Sequence, residues 1–190
     1  MDDETVEAAR RGDPAAFTAL WECLSPPVQG YVRSKGVGDA DDVTSEVFMS
    51  VFTKMPEFKG DAAAFRSFVF TVAHHRVVDH IRRESRRRTR EVADDAPEPS
   101  TSAASVEDTV VAQVGNERAR ALIESLAPDQ RDVLLLRVFG DLTIDEIATI
   151  LGKRAGAVKA LQHRGVRTLR RNIQGRPVSL SAAATIAEVR

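Results

Sequence analysis

The composition of the chain divides it in two. From Glu91 to Asp108 the sequence EVADDAPEPSTSAASVED holds six acidic residues, two prolines and no Lys or Arg. A segment of one-signed charge with little apolar surface cannot offset the entropy lost on ordering, so it is expected to be a flexible linker. Two small domains flank it. The boundaries are expected at 1–90 for the first domain, 91–112 for the linker, 113–173 for the second domain and 174–190 for a short tail.

Both domains are expected to be helical. Apolar residues make up 43% of the 190 and aromatic ones only 5%, so Ala, Val, Leu and Ile would fill the cores. With Gly and Pro gathered between segments, that composition favours helix over sheet, and the fold class is all-α. The lone Cys23 has no internal partner, which fits a reducing compartment. The N-terminal MDDETVEAARRGD is acidic and lacks an apolar signal core, and no window is long and apolar enough to span a bilayer. The expected location is the cytoplasm, without membrane insertion.

The formal net charge of −1 conceals an uneven layout. Residues 1–90 carry 14 acidic and 14 basic groups, with six Arg crowded between Arg82 and Arg90, while residues 109–190 carry 8 acidic and 13 basic. The stretch from Gly152 to Arg176 has eight Lys or Arg and no acid. Two basic ends are thus joined by an acidic strap.

In the C-terminal part, Thr143, Ile144, Asp145 and Glu146 have the form of a capping box. Ile144, Ile147, Ala148 and Leu151 then recur on one helix face, and Gly152 ends the helix. After GKRAG, a second helix sets Val158, Leu161 and Leu169 on one side, with Gly165 allowing close approach. Lys159, His163, Arg167 and Arg170 form a basic face pointing away. Upstream, RALIESLAPDQRDVLLLRVFGD supplies two more helices broken at Pro128, with Leu122, Ile123, Leu126, Val133, Leu134, Leu136 and Val138 as core. Two short helices and a tight Gly turn describe a helix-turn-helix whose second helix enters the DNA major groove. A surface that serves only solubility mixes its signs; a one-signed face fits phosphate attraction.

The N-terminal part starts a helix at Asp13 and Pro14, with Phe17, Leu20, Trp21 and Leu24 in register. In DADDVTSEVFMSVFTKM an apolar stripe of Val43, Val47, Val51 and Met55, widened by Phe48 and Phe52, opposes an acidic face of Asp39, Asp41, Asp42 and Glu46. Acid in a first turn complements the helix dipole, which accounts for Asp39 to Asp42; Glu46 lies a turn further in and is a candidate contact for a basic partner. The loop PEFKGDAA leads to AFRSFVFTVAHHRVVDHIRR, where Phe65, Phe68, Val69, Val72, Ala73, Val77 and Ile81 are expected to be buried. The other face offers Arg66, Thr71, His74, His75, Arg76 and Arg82. The spacing of His74, His75 and His80 does not bring two imidazoles onto one face, so no metal site is expected. Basic and aromatic groups beside a Gly-containing loop suit single-stranded nucleic acid.

These parts in this order resemble a bacterial extracytoplasmic-function (ECF, group IV) RNA polymerase sigma factor of the sigma-70 family. The similarity covers roughly residues 5–172. It implies that DADDVTSEVF docks on the clamp of the largest polymerase subunit, making Asp39, Asp42, Ser45 and Glu46 polymerase contacts, with Ser45 where the family usually has Gln. It implies that the loop from Glu57 to Ala64 captures a flipped base of the −10 element. The −10 candidates are Phe58, Lys59, Gly60, Asp61, Arg66, His74, His75 and Arg76. Phe68 replaces a more usual Trp, and the loop is one residue longer than in many relatives. The −35 contacts match Lys159, Ala160, His163 and Arg164, with Arg154 and Arg167 as phosphate partners. The partners implied are core RNA polymerase, through the clamp and the β flap, promoter DNA and an anti-sigma factor.

The division of labour has a physical basis. A helix reads duplex DNA through base edges in the major groove, whereas melted bases must be unstacked and held in pockets. Neither task needs a catalytic residue or cofactor, since polymerase does the chemistry. Two readings of the linker stand side by side: a spacer, or a negative strap that imitates nucleic acid inside polymerase. A rival for the whole chain is a helix-turn-helix regulator that acts on duplex DNA without polymerase. An enzyme acting on nucleic acid lacks paired carboxylates or a metal cluster in register.

Overall fold

The computed structural model describes residues 1–91 and 118–174, two helical regions with no strand among them. The first holds α1 (Asp3–Arg10), α2 (Pro14–Ser34), α3 (Ala40–Lys54), a 3-10 turn (Met55–Glu57) and α4 (Ala62–Glu91). The second holds α5, helical over 118–124, then α6 (Pro128–Gly140), α7 (Ile144–Leu151) and α8 (Ala155–Gln174). The expected linker over 91–112 and tail over 174–190 fall, but for their boundary residues, outside the described residues.

Local chemistry sets most helix ends. Asp13 accepts a hydrogen bond from the Ala15 amide, with Pro14 in the first turn of α2. That helix runs on through Pro26 and Pro27, each of which lacks the amide a helix interior uses, a defect of about 3 kcal/mol in an isolated helix. Tertiary burial of Leu20, Leu24, Val28, Tyr31 and Val32 holds it together. At the break before α6, the Arg131 guanidinium donates to the carbonyls of Ile123 and Glu124 and so closes the end of α5.

α4 is packed from two sides. Phe65, Val69, Ala73 and Val77 are buried as expected, but so are Phe70 and His74. Phe70, His74 and Val77 follow i, i+4, i+7, a second stripe on the same helix. α2 and α6 both pack against α4 while α3 takes its other flank, and a reading that assumes one buried face misses this. Two other expectations are corrected. Ile81 is 41% exposed because α4 has already passed the core, and Val138 is 72% exposed. Val138 lies one turn beyond Leu134, where α6 contacts Gly165 of α8, and has run past that cover.

The two regions share one continuous core, joined chiefly by α2 and α6. Phe139 of α6 rests on Gly30 of α2 so closely that a Cβ at Gly30 would lie 2.5 Å from the ring. Beside it, Lys35 and Asp132 form an ion pair whose side chains are only 11% and 17% exposed.

Candidate nucleic-acid interface

The helix-turn-helix is built from its caps inward. Thr143 and Glu146 complete the capping box, the Thr143 amide donating to Glu146 at 2.7 Å and the Glu146 amide to the Thr143 hydroxyl at 3.3 Å. Gly152 ends α7 in the left-handed region at φ 61°, where glycine carries no Cβ penalty. A 2.8 Å ion pair from Lys153 to Asp129 ties this turn to the start of α6. Val158 is buried, and at Gly165 an added Cβ would meet Leu134 at 2.8 Å, so α8 is seated against α6 at its closest point by a missing side chain.

That seating fixes what α8 presents outward. Arg154, Lys159, Ala160, His163, Arg164 and Arg167 are all exposed. Lys159, Ala160, His163, Arg164, Arg167 and Arg170 fall within an arc of about 140° at 100° per residue. The small Ala160 lies inside this arc and leaves room for a base edge between longer side chains. Six polar or small positions on one rigid helix can approach a groove as a unit, as direct readout requires.

The N-terminal candidates are held differently. Ala64 donates its amide to Asp61 at 2.8 Å and Ala62 donates to Asp3 at 2.7 Å, so the loop before α4 is pinned by its own cap and by α1. Phe58 is half-buried, stacked on Phe68 at 5.6 Å and edge-on to Phe65 at 5.3 Å; its ring anchors the loop. A Cβ at Gly60 would lie 2.8 Å from Ala64 Cβ, a contact too close for any larger residue without movement. Lys59, Gly60 and Asp61 remain exposed, and Arg66 is half-buried.

Between α3 and α4 lies a groove of about 480 Å³ lined by Glu46, Met49, Ser50, Lys54, His75 and Arg76, among others. Arg76 pairs with Glu46 at 3.7 Å and donates to the Ser50 hydroxyl at 2.7 Å. A residue expected to meet polymerase and one expected to meet DNA are therefore bonded to each other. Asp42 and Ser45 lie exposed on the same helix. Asp39 caps α3 through the Asp42 amide, and its charge raises the Asp42 carboxyl above its ordinary value.

His74 requires a correction. It is 8% exposed, and its Nδ1 lies 2.9 Å from the buried Tyr31 hydroxyl, facing α2 and not the surface that carries His75. Burial lowers its pKa from the ordinary 6.5 and raises that of Tyr31 well above 10.0. The sequence reading also passed over Met49, 71% exposed in the groove. Its spacing was the available signal, since Asp42, Glu46 and Met49 stand at i, i+4, i+7 on α3. Among the described residues no cluster of His, Cys, Asp or Glu could hold a metal ion, and no helix is long and apolar enough to cross a membrane.

Comparison with known proteins agrees with both parts. Residues 20–87 match the family model Sigma-70 region 2 and residues 116–169 match Sigma-70, region 4. The ECF RNA polymerase sigma factor BldN of Streptomyces coelicolor is 32% identical over 170 residues, 88% of this chain; the chain spans 64% of that relative's length. The ECF RNA polymerase sigma factor SigD of Mycobacterium bovis is 32% identical over 178 residues, covering 90% of this chain and 83% of the relative. Two solved structures share the fold. CnrH, in complex with the cytosolic domain of CnrY, has a TM-score of 0.67 at 19% identity, covering 93% of this chain and 99% of its own. RpoE of Bartonella quintana, in complex with the anti-sigma factor NepR, has a TM-score of 0.63 at 18% identity, covering 85% and 98%. With its acidic-faced α3, its groove beside α4 and its basic-faced α8 in the order of sigma regions 2 and 4, the chain belongs to the ECF RNA polymerase sigma factors.

Proposed function

We propose that this chain acts as a group IV sigma factor. It binds core RNA polymerase, melts and holds the −10 element with the loop and groove beside α4, and reads duplex −35 DNA with α8. The observation that carries the reading is the pairing, in one chain, of an open groove flanked by His75 and Arg76 with a capped helix-turn-helix whose outer face is basic. A melted strand needs a groove and a duplex needs a helix. A regulator that acts on duplex DNA alone has use only for the second.

In this reading Asp39, Asp42, Ser45 and Glu46 meet the polymerase clamp and the C-terminal region meets the β flap. Lys59, Gly60, Asp61, Arg66, His75 and Arg76 hold the −10 strand, with Phe58 placing the loop. Lys159, Ala160, His163 and Arg164 read −35 bases, and Arg154 and Arg167 hold phosphates. The chain supplies recognition in the cytoplasm and polymerase supplies the chemistry. By likeness to the complex of RpoE with the anti-sigma factor NepR, an anti-sigma partner covers these surfaces.

The test is transcription in vitro with core polymerase, a genomic promoter library and start-site mapping. Discrete starts are expected; output no higher than core alone refutes the reading. Arg164→Ala should weaken −35 binding about tenfold to a hundredfold. His75→Ala should impair melting while leaving duplex affinity intact. Equal effects of both on duplex binding would contradict the division of labour.

A further inference from the structure

The first helix of the chain holds the loop that precedes α4. Asp2 caps α1 through the Thr5 amide, and Val6 and Ala9 are buried, so α1 is packed against α2, the 3-10 turn and α4. From the first turn of α1, the Asp3 carboxylate accepts the Ala62 amide at 2.7 Å. Asp61, within the loop, accepts the Ala64 amide at 2.8 Å. Both amides stand at the start of α4, where no helix carbonyl reaches them and a carboxylate is a favoured partner. One of these caps is local; the other comes from 59 positions away. At the loop's beginning, Phe58 donates its amide to the Met55 carbonyl at 3.1 Å and stacks its ring on Phe68. Between these anchors stand Lys59 and Gly60, both exposed. The match to Sigma-70 region 2 begins at residue 20, so α1 lies outside it.

We propose that Asp3 is a positioning residue for the −10 strand: its hydrogen bond to the Ala62 amide holds the tip at Lys59 and Gly60 in the conformation that receives an unstacked base. The proposal rests on the sigma reading above, in which this loop captures a base of the −10 element. A base taken out of its stack loses stacking and pairing energy, and the site that receives it must offset that loss. A loop that became ordered only on binding would lose conformational entropy at that moment, which weakens capture. Glycine has the widest backbone freedom of any residue, so a tip containing Gly60 needs anchors on both sides. Phe58 supplies one, and Asp61 with Asp3 supplies the other. Electrostatics alone would argue against Asp3 here, because a negative charge beside a site for nucleic acid repels the ligand. Its contribution is geometric, and it acts through the Ala62 backbone without touching the base.

The experiment uses holoenzyme made from the full chain and core polymerase, with a single-stranded −10 oligonucleotide from a promoter mapped by transcription in vitro. The strand is tested intact and with each base in turn removed to leave an abasic site. For wild type, removal of the captured base should weaken binding. Asp3→Ala should weaken binding of the intact strand about fivefold, the usual size of a lost side-chain cap, and leave binding of the strand abasic at that position unchanged. Alanine is a good helix former, so α1 should persist. Asp3→Asn keeps an oxygen that accepts from Ala62 and drops the charge, so it should bind the intact strand at least as well as wild type and keep the abasic contrast. Binding to −35 duplex should be the same in all three proteins. An alanine variant indistinguishable from wild type would overturn the proposal, as would equal losses on intact and abasic strands or a loss of −35 binding. Equal losses in the alanine and asparagine variants would assign the effect to charge and overturn it too. A wild type whose binding no abasic site weakens would overturn base capture by the loop, and the proposal with it. Failure of the wild-type holoenzyme to bind the intact strand at all would overturn the sigma reading itself, a result visible before any substitution is made.

Discussion

The two candidate reading surfaces differ in how their residues are held. On α8 and in the turn before it all six −35 candidates stand free of the core, and one missing side chain at Gly165 sets the seating of the helix face. Around α4 the −10 candidates are tied into their surroundings: Arg76 bonds Glu46 and Ser50, Phe58 stacks in an aromatic cluster, and His74 is buried against Tyr31. A helix that enters a groove from outside can be made by one element. A pocket for unstacked bases has walls from several, so its residues serve packing and binding together.

The comparison breaks most visibly at Gly165. Gly165→Leu forces a side chain into Leu134 and should destabilise the C-terminal region by about 3 kcal/mol, read by urea denaturation. Binding to −35 duplex should be lost while binding to a −10 oligonucleotide survives. Joint loss of both would mean that the two surfaces are not independently seated.

A smaller effect tests the shared residues. Glu46 and Arg76 are each close to half exposed, so a double-mutant cycle with alanine should give a coupling of only about 0.5 kcal/mol in stability. Arg76→Ala should nonetheless change both polymerase and −10 affinity. Arg167→Ala on α8 should change DNA affinity alone, and a matching effect on polymerase would erase the contrast.

The smallest effect is one of pH. Burial lowers the His74 pKa, so the unfolded chain takes up a proton at higher pH than the folded one does. The stabilisation is complete above the ordinary value of 6.5 and declines as pH falls below it. The urea midpoint should therefore drop between about pH 7.5 and 5.5, and His74→Gln should flatten that slope. An unchanged slope in the variant would show that His74 is not the group responsible.

Legibility from sequence follows the range of the interactions. The capping box at Thr143, the turn at Gly152 and the outward face of α8 depend on residues within a few positions of one another, and the sequence shows them directly. Val138 and His74 were misplaced because their surroundings come from distant segments: where α8 stops covering α6, and how α2 and α6 close on α4. The seat of Phe139 on Gly30 joins positions more than a hundred residues apart, and no local pattern announces it.

That seat has a consequence for reach. The −10 and −35 elements are named for positions 25 base pairs apart, about 85 Å of duplex at 3.4 Å per pair. The longest described element, α4, has 30 residues and so spans about 45 Å at 1.5 Å per residue. With Phe139 resting on Gly30 and Lys35 paired to Asp132, the two regions are held together, and α4 covers only about half of the distance the two elements would demand. Reading both elements at once would thus require α6 to leave α2.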